Sequence, residues 1–136
     1  MKTPMRRILI AVTALWWAAA LGAETNKVPR LVDLGADRCI PCKAMAPILK
    51  ELKTEYAGRL EVEFIDVWKN PDAGKEYQIR IIPTQIFYDA KGKERFRHEG
   101  FYGKKDILAK WKELGVDLGS PKPKDERPAG EGIAEK

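Results

Sequence analysis

Between about Pro29 and Val116 the apolar and polar positions fall into stretches that alternate between strand-like and helix-like spacing. Arg30 to Gly35 is a short apolar run of strand length. From Pro41 to Tyr56, the residues Met45, Ile48, Leu49, Leu52 and Tyr56 recur at spacings of three and four, which puts them on one helix face that Gly58 brings to an end. Leu60 to Val67 reads as the next strand. Asn70-Pro71-Asp72 joins a capping residue to a proline at the first helical position, so a short helix is expected over Pro71 to Tyr77. Thr84 to Tyr88 and Glu94 to Glu99 flank Asp89-Ala90-Lys91-Gly92-Lys93, a glycine-containing turn that predicts a hairpin. Lys104 to Leu114 closes the unit as an amphipathic helix with Ile107, Leu108 and Trp111 on one face. The order β-α-β-α-β-β-α predicts an α/β fold with a mixed central sheet flanked by helices. A crossover helix makes the first two strands parallel, and the hairpin is antiparallel.

The ends of the chain have a different composition. Lys2, Arg6 and Arg7 precede the uncharged apolar stretch Ile8 to Leu21, whose 14 residues fall short of the roughly 20 that a stable transmembrane helix needs. Residues 1–23 are therefore expected to be a signal peptide cut after Ala23, with a cut after Ala20 or an uncleaved anchor as alternatives. That signal predicts a periplasmic or otherwise exported protein. No cysteine follows either cut, so nothing suggests a lipid anchor. From Asp117 to Lys136 the chain holds Pro121, Pro123, Pro128 and nine charged side chains, the composition of a disordered tail. The expected organisation is a signal over 1–23, one domain over 24–116 and a tail over 117–136. Removing the signal takes three basic and no acidic residues from 25 Lys and Arg against 20 Asp and Glu, leaving about +2. So balanced a surface gives no reason to propose nucleic acid as a partner.

The two cysteines, Cys39 and Cys42, stand where the first strand gives way to the first helix. At a helix N-terminus the dipole and the free N–H groups stabilise a thiolate, so this placement suits thiol–disulfide chemistry. Other uses remain open. With His98 the pair offers at most three zinc or copper ligands and there is no second CxxC, while a purely structural disulfide stabilises little across so small a loop. By the same reading His98 is a solvated strand residue, Met45 a core residue, and Trp68 and Trp111 packing residues, with Trp68 able to flank the cysteine surface.

Val32-Asp33 lies six residues before Cys39-Ile40-Pro41-Cys42-Lys43, followed by Asn70-Pro71, Tyr77-Gln78-Ile79-Arg80-Ile81-Ile82-Pro83-Thr84, and Gly100 beyond the hairpin. With these marks at these distances the folded unit resembles the thioredoxin family, in a trimmed form without that family's leading strand and helix. The resemblance implies that Cys39 is the attacking thiol, with Arg38 beside it, and that Cys42 is the resolving thiol. It gives Asp33 the part of a buried carboxylate that assists deprotonation of Cys42. Pro83 matches the family's cis-proline, which would let Ile82 pair with an extended substrate, with Gly100 and Phe101 as the opposite lip and Ile40 and Pro41 between them. Two tryptophans usual in the family are replaced by Arg38 and Gly35, and Phe64, next to Glu63, stands where a lysine often partners the buried Asp.

The resemblance implies a thiol–disulfide oxidoreductase that reduces or exchanges protein disulfides, needs no cofactor beyond its cysteine pair, and binds no metal. Ile82 before the proline resembles reducing members, and no histidine lies inside the CxxC to stabilise the reduced form. A reductase outside the cytoplasm implies a membrane thiol-electron transporter as electron donor. A monomer is expected. The alternative is a thioredoxin scaffold that docks a partner or carries copper without turnover.

Overall fold

A computed structural model of the chain describes residues 27–123. The residues read as a signal, and those from 124 onward, lie outside the described residues. The elements follow the predicted order: β1 (Arg30–Gly35), α1 (Ile40–Glu55), β2 (Glu61–Asp66), α2 (Pro71–Glu76), β3 (Thr84–Tyr88), β4 (Glu94–Glu99) and α3 (Lys104–Glu113). β2 and the three helices end one residue short of the sequence pattern, although the N–H of each boundary residue still bonds back into the element or its neighbour: Tyr56 to the Leu52 carbonyl, Tyr77 to Ala73, Leu114 to Lys110 and Val67 to Gly35 of β1.

The strands form one sheet in the order β2-β1-β3-β4. β1 pairs with β2 in parallel and with β3 antiparallel, and β3 pairs with β4 antiparallel. This arrangement brings the C-terminal ends of β1, β2 and β4 and the start of β3 to one end of the sheet. β1 is central and covered on both faces, which is why it reads as a nearly continuous apolar run rather than an alternating one. Leu31 packs with Met45, Leu49 and Leu52 of α1 and with Ile107 and Trp111 of α3. Val32 and Leu34 turn to the opposite face, with Ile86, beneath Tyr77 and Ile79 that follow α2.

Phe87 anchors the larger cluster. Its ring meets Trp111 at 4.7 Å and Phe96 at 5.5 Å, and all of Phe87 and Trp111 is buried. Trp111 is thus a packing residue, as its place on the helix face predicts. Lys104 Nζ donates to Glu51 and Glu55 at 2.7 Å each, fastening the start of α3 to α1.

The segment read as a tail does not leave the body at Asp117. Leu118 belongs to the core at 6% exposure. Arg59 donates to the carbonyls of Leu118 and Ser120, both at 2.6 Å, and the Lys122 N–H donates to the Glu55 carbonyl at 2.8 Å. Proline, glycine and charge density suggest a tail, but one buried leucine and one guanidinium suffice to bind residues 118–122 to the C-terminal end of α1. Arg59→Ala is expected to cost about 1–2 kcal/mol of stability and to expose the Lys122 amide to fast hydrogen exchange. Unchanged exchange there would show that Leu118 alone holds the segment.

Candidate active site

α1 begins at the cysteine pair. Cys39 is its N-cap, in extended conformation, and its Sγ accepts the Cys42 N–H at 3.3 Å. Pro41 stands in the first turn, where a missing N–H forfeits no helical bond. Cys39 and Cys42 form a disulfide with Cα atoms 5.2 Å apart. Cys42 is buried at 3% exposure, whereas Cys39 is partly exposed beside Ile40, which is 83% exposed. A thiolate at Cys39 would meet the free N–H groups and positive end of α1, and it is the sulfur of the pair that an outside molecule can reach.

The other expected site residues come to the same end of the sheet. The Ile82–Pro83 peptide bond is cis. The Pro83 carbonyl accepts the N–H of Gly100 at 2.7 Å, so the lip beyond β4 is bonded to the segment before β3. Gly100 has φ +100°, a conformation that a side chain would strain. The Tyr102 N–H approaches Met45 Sδ at 3.3 Å, holding that lip against α1. Phe101 and Ile81 are about half exposed here. Trp68, following β2, is 58% exposed, so it is a surface residue at this end and not the packing residue of the sequence reading. His98 is half-buried and stacks on Tyr102 at 4.0 Å, with its Nε2 3.3 Å from the Phe101 carbonyl. It braces the lip instead of standing free in solvent.

Asp33 lies on β1 two residues before Gly35, hence on the same face of the strand. A Cβ on Gly35 would come within 3.2 Å of Cys42 Cβ and Sγ and 2.9 Å of the Phe64 ring. The two family positions changed to Gly35 and Phe64 are therefore neighbours: the ring leans over the bare glycine, next to the disulfide. Alongside, Cys42, Ala46, Leu49, Val62 and Phe64 line an open groove of about 360 Å³.

Asp33 is fully buried. Burial pushes its carboxyl up to about 6 from the ordinary 3.8, against the lowering effect of a hydrogen bond from Gln85. Gln85 Nε2 donates to Asp33 Oδ1 at 2.7 Å, and Gln85 is itself fully buried. Asp33 Oδ2 and Gln85 Oε1 have no partner among the described residues. Sequence reasoning missed Gln85, although an amide within Thr84-Gln85-Ile86-Phe87-Tyr88, a strand otherwise suited to burial, was the available signal.

Two polar ties also escaped it. Asp66 Oδ1 accepts the N–H groups of Trp68 and Lys69, and its Oδ2 accepts that of Asp37, so one carboxylate holds the loop before Cys39 and the loop carrying Trp68. Partial burial raises that carboxyl's affinity for a proton, but these bonds and the Lys69 charge outweigh it and hold Asp66 below the ordinary carboxylate range. Lys69 also bonds Asp37. On the other side, Arg80 grips both oxygens of Glu99 at 3.1 and 3.2 Å, linking the chain ahead of Pro83 to the end of β4. Among the described residues, no group of three or more His, Cys, Asp or Glu could hold a metal ion.

The model of the thioredoxin family matches residues 9–113. The chain belongs to that family. Thioredoxin C-2 of Corynebacterium nephridii is 45% identical over 71 residues, 52% of this chain and 63% of that protein. The thioredoxin of Acidithiobacillus ferridurans is 42% identical over 81 residues, 60% of this chain and 74% of its own length. That of Mycobacterium tuberculosis is 38% identical over 95 residues, covering 70% of this chain and 80% of the relative. The chain thus spans just under two thirds of the first of these thioredoxins and more of the other two. Among solved structures, chloroplastic thioredoxin z superimposes with a TM-score of 0.60 at 30% identity, over 67% of this chain and 81% of that one. A malarial protein also gives 0.60, over 64% of this chain and 97% of its own, and at 21% identity supports the thioredoxin fold alone.

Proposed function

We propose that this thioredoxin-family chain is a thiol–disulfide oxidoreductase that reduces or exchanges disulfides of protein substrates outside the cytoplasm. The observation that carries it is the asymmetry of the cysteine pair: Cys39 is partly exposed at the cap of α1, and Cys42 is buried behind it. In the reducing direction the Cys39 thiolate attacks one sulfur of a substrate disulfide, and the other sulfur leaves as a thiolate. Cys42 then loses its proton and attacks Cys39 Sγ. The Cys39–Cys42 disulfide forms, the second substrate thiolate is released, and two electrons have passed to the substrate. Asp33, on the Cys42 side of β1 and poised near 6, takes the Cys42 proton. Ile82, Pro83, Gly100, Phe101 and Ile40 form the surface against which an extended substrate segment lies.

Export is supported by the charged start and apolar stretch of residues 1–23. Among the described residues no helix is long and apolar enough to cross a membrane. Work outside the cytoplasm requires an electron source, for which a membrane thiol-electron transporter is the fitting class. Equilibration of the pair with dithiothreitol or glutathione tests the direction. A potential near about −270 mV fits a reductase and one near about −120 mV an oxidant. A pair that does not equilibrate reversibly would sink the oxidoreductase reading and turn attention to docking or copper carriage.

A further inference from the structure

In register across the sheet, Phe64 of β2, Asp33 of β1, Gln85 of β3 and His98 of β4 form one transverse row. Directly opposed residues share a face, so this row faces α1 and α3. The helix residues on that face, Met45, Leu49, Leu52, Ile107 and Trp111, carry no charge, and Cys42 is in the disulfide. Within the row, Phe64 offers Asp33 no hydrogen bond, and His98 lies one strand beyond Gln85 with its Nε2 directed to the Phe101 carbonyl. Among the described residues, the Asp33 carboxyl therefore has a single hydrogen-bond donor, the Gln85 side chain.

A fully buried glutamine in the middle of a sheet is costly. Its Oε1 is left without a partner, so an apolar side chain of the same size would pack there at lower cost. What an apolar side chain could not do is present an N–H to Asp33 Oδ1. We propose that Gln85 is a positioning residue for Asp33, fixing the orientation of its carboxyl and favouring the ionised form that serves Cys42. In this chain it does from β3 what the absent lysine would do from β2: it supplies a donor to the buried carboxyl, but a neutral one. A neutral donor leaves the carboxyl easier to protonate than a cation would, consistent with an Asp33 that titrates close to neutrality.

The inference rests on the reading of Asp33 as the acceptor of the Cys42 proton, and its test separates the two. Asp33 is followed by carbon-13 NMR of its carboxyl in the oxidised protein, and turnover is followed over the same pH range. Gln85→Met keeps the length of the side chain and removes the donor. Its Asp33 midpoint is expected to rise by about one pH unit, with the acid limb of turnover moving by the same amount. In an Asp33→Asn background, the same Gln85→Met change is expected to leave the pH profile where Asp33→Asn alone puts it. An Asp33 midpoint unmoved by Gln85→Met overturns the proposal. A midpoint that rises while turnover does not follow keeps Gln85 as the partner of Asp33 and refutes the proton-transfer role of Asp33 itself. Should the methionine variant not fold, the wild-type chain decides. The Gln85 side-chain N–H resonances must titrate with the Asp33 midpoint, and their indifference to pH across it overturns the inference.

Discussion

Cys39→Ser is expected to lower disulfide reduction by on the order of 10³-fold or more while leaving the fold in place. Cys42, the other cysteine, cannot take over, because it is 3% exposed and packed against Gly35 and Phe64. A serine hydroxyl at the cap could still accept the Cys42 N–H, so the start of α1 survives. The lost disulfide spans a sequence separation of only 3, and such a loop holds little of the unfolded chain's entropy. Cys42→Ser should behave differently: Cys39 attacks, nothing resolves the adduct, and a stable mixed disulfide with the substrate accumulates. Insulin reduction, with gel electrophoresis under non-reducing conditions, reads both. A mixed disulfide that accumulates in both variants alike, or in neither, would contradict separate attacking and resolving roles.

Asp33→Asn is expected to stabilise the protein above pH 6 and to leave its stability near pH 4 almost unchanged. The folded Asp33 holds its proton up to about 6, whereas the unfolded chain releases it near 3.8, so the folded state loses stability as pH rises through that window. The gap corresponds to up to about 3 kcal/mol, present as a penalty in the wild-type chain at pH 7 and absent from the asparagine variant. The asparagine side chain can still accept the Gln85 N–H through its carbonyl oxygen, so the change removes the ionisation and keeps the hydrogen bond. Urea unfolding of both chains at pH 4 and pH 8 measures this. A stability difference that does not vary with pH would mean that Asp33 does not ionise in this range. The same variant is expected to slow the resolving step at pH 7, so the penalty carried by the wild-type chain accompanies function.

Much of the fold was legible because strand and helix periods are local. Met45, Leu49 and Leu52 declare the buried face of α1, and all three lie in the core. β1, β3 and β4 begin and end where the apolar and turn residues place them. The cysteine pair was legible for a related reason: a thiol between a strand and a helix carries its chemical setting with it. The tail from Asp117 was read from composition, which does not register that Leu118 and Arg59, far apart in sequence, complete the core and a hydrogen-bonded clasp.

What the residues determined by themselves was the order of elements, the thiol at the cap of α1 and the presence of a carboxyl at Asp33. Only the tertiary structure decided what surrounds that carboxyl. Strand register places Gln85 opposite Asp33 and Phe64 on its other side, and sheet order brings the loops of Trp68, Pro83 and Gly100 to the cysteine end. Asp66, at the end of β2, then fastens the Trp68 loop to the loop before Cys39. The reason is physical: the periodicity of a segment is set by its own backbone, whereas the solvation and hydrogen bonding of a buried group are set by residues that arrive beside it only when the sheet closes.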